Sequence, residues 1–367
     1  MKIEVYSPTI RRKEMDAVLT AMVEEKIGPG ERNKLLIQTA KEQLKFDHAL
    51  ALRSPAVALH LALKALDNCF GQDRLKGAVI ISALSPRFYL QVLEDLQLTP
   101  LICDVSYDFP CMSLESINNI IAGKPSDIKI CAIVLHHTLG FLPDAASIME
   151  LGIPIIEDIS QSYGSWVLPA PVPGIKQGGK NEEIQVQSGG PFFHGVFCIL
   201  GLEERDMLTS GGGALLFAMN RKDGSLLKNF TGIADEYCLP DINAALAIVQ
   251  FKEIRKNIER KNEIAKVYSQ ASLRTRHKHF ISRSQDDVNY YSFSLVLEAG
   301  LKDVAAYAKK KDIILENAFE KTIAGSGGCG LCPVSNSLVL RTVLFPMYPR
   351  LRSADIERVS RLIMTLP

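Results

Sequence analysis

With 367 residues, 47% of them hydrophobic and 23% charged, the chain is long enough for a large buried core and reads as two domains. A net charge of +1, with Lys and Arg interspersed among Asp and Glu, argues against nucleic acid as a partner. The longest apolar runs, such as Ala78–Leu84, fall far short of the roughly 20 residues of a membrane span, and Met1–Tyr6 carries no apolar signal core, so a cytoplasmic location is expected.

In chain order, residues 11–25 place Met15, Val18, Leu19, Met22 and Val23 at helical spacing and predict an opening amphipathic helix. A second helix starts near Ser54-Pro55, with Ser at the N-cap and Pro at the first helical position. Strands are then expected near Ala78–Ser82, Pro100–Val105, Lys129–Leu135, Ile153–Glu157, Val196–Leu200 and Ala214–Ala218, with helices around 87–97, 113–122 and 143–151. Near-continuous Val/Ile/Leu strands separated by crossover helices predict an α/β protein whose mostly parallel sheet is covered on both faces.

Residues 166–195 break that rhythm: Pro169, Pro171 and Pro173 lead into Gly174, Gly178, Gly179 and then Gly189-Gly190-Pro191, a long loop. A charged helix from about Asp241 to Ser272 is expected to bridge a large domain, 1–240, to a smaller α+β domain, 241–367. The last helix sets Ile356, Val359, Leu362 and Ile363 on one face.

Of eight cysteines, Cys103, Cys131 and Cys198 sit in strand-like stretches and read as small buried hydrophobes. Cys329-Gly330-Leu331-Cys332 has metal or redox spacing, but with no second pair and no nearby His it reads as a Gly-rich loop, and no metal site is expected.

Six segments in order resemble the DegT/StrS family of nucleotide-sugar aminotransferases. Ile153-Pro-Ile-Ile-Glu-Asp-Ile-Ser-Gln161-Ser-Tyr-Gly-Ser165 resembles the family's I-P-V-I-E-D-A-A-Q-A-H-G-A, preceded by His136–Gly140 for V-H-L-Y-G. Ala56–Leu63, Thr99–Val105, Tyr237–Leu246 and Leu344–Pro349 resemble its A-A-L-H-L-A-L, T-P-V-F-V-D-V, Y-R-M-x-E-L-Q-A-A-L and L-P-L-H-P segments. The resemblance implies a fold-type I aminotransferase architecture, a homodimer with its pocket at the subunit interface, and pyridoxal phosphate as the family cofactor.

Carried over residue by residue, the resemblance puts Asp158 opposite the cofactor's pyridinium nitrogen and Gln161 at its phenolic oxygen. The phosphate cradle falls on Ser54, Pro55 and Ala56, where Pro55 has no N–H and Ala56 no hydroxyl to offer. The ring-stacking aromatic falls at about Ser85, the family's serine before its lysine at Leu200, and the asparagine reaching the neighbouring subunit's phosphate at Glu236. Counting back from Gly212-Gly213-Ala214-Leu215 puts Arg205 at the Schiff-base lysine. A guanidinium does not deprotonate, so Arg cannot form that imine. Within Glu203-Glu204-Arg205-Asp206 it reads equally as a solvated charge run. Lys176 and Lys180, in the long loop, are weak substitutes.

Three readings follow. The chain is a family member without transaminase activity and with no bound cofactor, serving as a sugar-nucleotide or anion binder or as a partner subunit in polysaccharide biosynthesis. Alternatively it is an active enzyme that uses pyridoxal phosphate through another lysine, or a relative of the lysine-less sugar dehydratases. Both alternatives need a phosphate cradle, against which Pro55, Ala56 and Leu200 count.

Overall fold

The computed structural model describes residues 2–67, 77–167, 193–230, 232–281, 286–287, 289–298, 300–327 and 329–367. The expected loop therefore lies largely outside the described residues, Lys176 and Lys180 included. The chain opens with helices α1 (Arg12–Val23) and α2 (Glu31–Leu44). There follow β1 (His48–Leu52), α3 (Pro55–Asp67), β2 (Gly77–Ser82), α4 (Phe88–Asp95), β3 (Thr99–Cys103), α5 (Leu114–Gly123), β4 (Lys129–His136), α6 (Ala145–Met149) and β5 (Ile155–Asp158). Next come β6 (Trp166–Val167), β7 (Phe197–Gly201), β8 (Ala214–Ala218), α7 (Arg221–Lys228) and the long α8 (Asp241–Ser272). The C-terminal portion holds β9 (Asp286–Asp287), β10 (Phe293–Val296), α9 (Leu301–Lys309), β11 (Glu316–Asn317), α10 (Pro333–Arg341), β12 (Thr342–Phe345) and α11 (Ser353–Met364).

The large sheet has the order β1-β8-β7-β5-β4-β2-β3. From β7 to β3 all neighbours are parallel, and β8 runs antiparallel to both β7 and β1. Alternate residues go to opposite faces. Val79, Ile81, Val134, Ile156 and Ile199 pack with α3 and α4, whereas Ile80, Ile133, Leu135 and Ile155 pack with α5 and α6. Both faces are covered, which is why these strands read as unbroken apolar runs. On the β7–β8 side, Cys198, Leu200, Leu215 and Phe217 meet Leu36 and Ala40 of α2 and Ala247 and Phe251 of α8.

Asp241 fastens α8 to α2. Its buried carboxylate accepts hydrogen bonds from the backbone N–H groups of Gly30 (3.0 Å), Arg32 (3.0 Å) and Asn33 (2.8 Å), capping α2 from 211 residues away. In the C-terminal portion, the sheet β10-β12-β11 is antiparallel, and Ile356, Val359, Leu362 and Ile363 of α11 are buried with Ile264, Ala265 and Tyr268 of α8, as the periodicity predicts.

The opening amphipathic helix is present as α1. Its apolar stripe faces outward, with Met15 55%, Leu19 58%, Met22 54% and Val23 74% exposed, while Glu14 and Ala21 are buried. Polar contacts hold α1 to α8: Gln250 donates to Glu14 at 3.2 Å and Lys13 pairs with Glu253 at 2.6 Å. No described helix is long and apolar enough to cross a membrane.

Candidate functional site

The carboxyl ends of the parallel strands carry the loops 83–87, 137–140, 159–165 and 202–213, the edge where open α/β sheets bind ligands. Strand β1 runs parallel to β7, so Ser54 and the start of α3 lie at the same edge. There Ser54 does what a helix start requires: its Oγ accepts from the N–H of Val57 at 3.2 Å, with Pro55 as the first helical residue. Ala56 packs its methyl against the core beneath α3.

Asp158 ends β5 and is 2% exposed. Its carboxylate is satisfied within the protein. The Tyr89 hydroxyl donates to Oδ2 at 2.5 Å, and Ser160 donates to Oδ1 through its hydroxyl (2.5 Å) and its N–H (3.1 Å). Tyr89, on α4, is fully buried and meets the His136 ring edge to face at 6.3 Å. Burial and the adjacent Asp158 carboxylate push the Tyr89 phenol well above its ordinary pKa, so it stays a donor. His136, hydrogen-bonded through Nδ1 to Thr138 at 3.0 Å, is driven down to about 4 by burial and is neutral near pH 7.

One step away, Glu157 contacts His137 Nε2 at 3.2 Å and accepts from the N–H groups of His194 and Gly195, both at 2.6 Å. Burial opposes its ionisation, but the imidazole and the two amides outweigh that and hold its pKa below the ordinary carboxylate value. His137 Nδ1 is in turn 2.7 Å from the hydroxyl of Ser162.

Among the remaining predicted positions, Gln161, Ser85 and Leu200 have structural roles. Gln161 Oε1 accepts from the N–H of Leu139 at 2.7 Å, bracing a turn in which Leu139 has φ +55°. Ser85 is wholly buried, and its carbonyl accepts from Ile323 of the C-terminal portion at 3.1 Å. Leu200, also wholly buried, belongs to the core between β7–β8 and α8. Glu236 is exposed.

Arg205 is neither a free surface charge nor aimed at Asp158. Its guanidinium forks onto Glu316 of β11, with Nη1 at 2.5 Å and Nη2 at 3.3 Å, and lies 5.6 Å from the Tyr6 ring centroid. Its neighbour Asp206 turns inward and accepts from the N–H of Glu203 at 2.9 Å. Burial first, with the nearby Asp158 charge among the causes, pushes Asp206 up to about 8.

Sequence reasoning missed two residues. Tyr89 sat inside a predicted helix with no motif to single it out. Lys261 looked like one more charge on α8, yet burial brings its amine down to about 7. Its Nζ donates to the carbonyl of Tyr291 at 2.9 Å and has no carboxylate partner among the described residues. With Tyr6, Asp206, Met207 and Asn257 it lines a cavity of about 30 Å³, room for a water and little more. Among the described residues no group of three His, Cys, Asp or Glu is placed to hold a metal ion.

This sheet order, the long α8 and the small C-terminal sheet define the fold-type I aminotransferase class. The chain belongs to the DegT/DnrJ/EryC1/StrS aminotransferase family: that family's profile matches residues 8–191 and 214–364, leaving out 192–213, where Arg205 lies. Among solved structures it is similar to the aminotransferase TlmJ from Streptoalloteichus hindustanus (18% identity, TM-score 0.79, covering 99% of this chain and 98% of that one). It is also similar to a DegT DnrJ EryC1 StrS aminotransferase from Brucella abortus (19% identity, TM-score 0.80, 96% and 94%). A third is the putative sugar aminotransferase Spr1654 from Streptococcus pneumoniae in its PMP form (16% identity, TM-score 0.81, 100% and 97%). At these identities the likeness shows the fold.

Proposed function

We propose that this chain keeps the fold of the sugar aminotransferases without transaminase chemistry, and acts as a binding or partner subunit in sugar-nucleotide or polysaccharide biosynthesis. The observation that carries this reading is the Tyr89–Asp158 hydrogen bond, 2.5 Å long and fully buried. The family's cofactor would need this carboxylate for its ring nitrogen, and here a phenol on the protein's own chain holds it. The residues present therefore do not fit pyridoxal phosphate. Pro55 lacks an N–H and Ala56 a hydroxyl, the Ser54 hydroxyl caps α3, Leu200 is core, Gln161 braces a turn, and Arg205 is engaged by Glu316. The gap in the family match over 192–213 supports the same reading.

Three further parts of the proposal are a division at 240/241, a cytoplasmic location and a homodimer. The outward apolar stripe of α1 supports the homodimer, because contiguous exposed apolar surface marks an interaction face. The direct test is spectroscopic. Purified protein incubated with pyridoxal phosphate should show no aldimine absorbance and no borohydride-stable adduct. An adduct mapped to any lysine, Lys261 in particular, would reinstate the enzyme reading.

A further inference from the structure

The segment Cys329-Gly330-Leu331-Cys332, a Gly-rich loop by its sequence, holds its two cysteines in a specific geometry. The N–H of Cys332 donates to the carbonyl of Cys329 at 3.0 Å, closing a tight turn. Asn336 clamps that turn from α10, accepting from the N–H of Cys329 at 3.0 Å and donating to its carbonyl at 2.7 Å. The two Sγ atoms lie 3.0 Å apart. A disulfide closes at about 2.05 Å, so the two sulfurs need to approach by only about 1 Å.

We propose that Cys329 and Cys332 form a thiol–disulfide exchange site that takes a low-molecular-weight disulfide of the glutathione class as oxidant, and that oxidation stiffens the 329–332 turn and so fastens it onto the wall of the inherited site. The loop already rests on that wall. Ile323 donates to the carbonyl of Ser85 at 3.1 Å and Ala324 to that of Ala83 at 2.9 Å. Cys329 and Cys332 share one apolar cluster with Ala83, Leu84 and Leu139.

The two thiols have different roles. Cys329, 9% exposed beside a Leu331 that is 87% exposed, is the more exposed of the two, whereas Cys332 is fully buried, so the first attack is assigned to Cys329. The N-terminus of α10 does not activate Cys332. The Asp104 carboxylate occupies it, accepting from Val334 (3.0 Å) and Ser335 (2.8 Å), and burial, the Cys329 contact and Asp104 push the Cys332 thiol up. In the first step Cys329 thiolate attacks the disulfide RS–SR, forms Cys329–S–S–R and releases RS⁻. Cys332 then gives its proton to the RS⁻ released in the first step and attacks Cys329 Sγ, releasing the second RS⁻, which takes a proton from solvent. The protein gives up two electrons and two protons, and RS–SR becomes two RSH. Because a thiol of raised pKa is a poor leaving group, the closed disulfide resists the reverse attack at Cys329.

The test equilibrates the whole chain in glutathione redox buffers, quenches with an alkylating reagent and maps the peptides. Two alkylations should be lost together, both within 329–332, and native protein should favour the bridge over urea-unfolded protein by at least about tenfold, the linkage signature of a pair already positioned by the fold. Cys332→Ser should stop at a single glutathione on Cys329, and Cys103→Ser should leave the bridge unchanged. Amide exchange at 83–85 and 323–324 should slow on oxidation. A bridge no more favoured in native than in unfolded protein, or one that recruits Cys103, would overturn the site; unchanged exchange would overturn the fastening. If Cys332→Ser does not fold, the native-to-unfolded comparison decides alone.

Discussion

Tyr89 is the residue on which the reading of the site turns, and two substitutions separate its hydrogen bond from its bulk. Tyr89→Phe keeps the buried ring and removes the hydroxyl, leaving the 2%-exposed Asp158 with Ser160 as its remaining donor. Loss of one hydrogen bond to a charged, buried group costs about 1.5–3 kcal/mol. Tyr89→Ala also deletes the ring, and emptying a fully buried aromatic site costs about 3–5 kcal/mol in its own right. Urea unfolding followed by circular dichroism should therefore rank wild type above Phe above Ala. Adding p-cresol to Tyr89→Ala should recover part of the loss, because a ligand that binds only the folded state stabilises it by mass action. Toluene, equal in shape but without a donor for Asp158, should recover less. A Tyr89→Phe cost below about 0.5 kcal/mol, or equal rescue by cresol and toluene, would show that the phenol is not what satisfies Asp158 and would remove the main support for the occluded-site reading.

Arg205→Lys is expected to leave the protein without an aldimine in the presence of pyridoxal phosphate. With side chains 43% and 31% exposed, a double-mutant cycle with Glu316→Gln should give a coupling of no more than about 1 kcal/mol, measured by the same urea unfolding. His136 sets an acid limit. Its folded pKa of about 4 lies below the ordinary 6.5, so there is no cost above pH 6.5, and stability falls as pH drops from 6.5 to 4. That window amounts to about 3 kcal/mol, and His136→Gln should flatten that part of the stability-against-pH curve. Met15→Glu with Leu19→Glu should convert a dimer to a folded monomer by light scattering, and a wild type already monomeric at micromolar concentration would refute the interface assigned to α1.

The sequence determined those features that one element can encode in itself. The six anticipated strands of the large sheet are present, because strands covered on both faces are apolar along most of their length. Helix α8 runs from Asp241 to Ser272 as anticipated, and Ser54-Pro55 starts α3 through a local capping bond. Family membership was legible for a related reason: its motifs sit on contiguous stretches such as Ile153–Ser165.

Tertiary structure decided the rest. Strand β1 and helix α2 went unread because β1 is a five-residue edge strand ending just before the helix start at Ser54, and α2 is capped by Asp241 from far along the chain rather than by its own first residues. The stripe on α1 was visible in the sequence, but which face meets α8 is settled by Glu14, Gln250 and Glu253, and periodicity cannot tell a core from an interface. The same limit applies at the site. Asp158 could be located by motif, but what its carboxylate meets depends on a tyrosine 69 residues away on another helix. The contacts of Arg205 with Glu316 and of Cys329 with Cys332 likewise follow from how loops are folded against one another, where free energy comes from burial and partner geometry that no local pattern records.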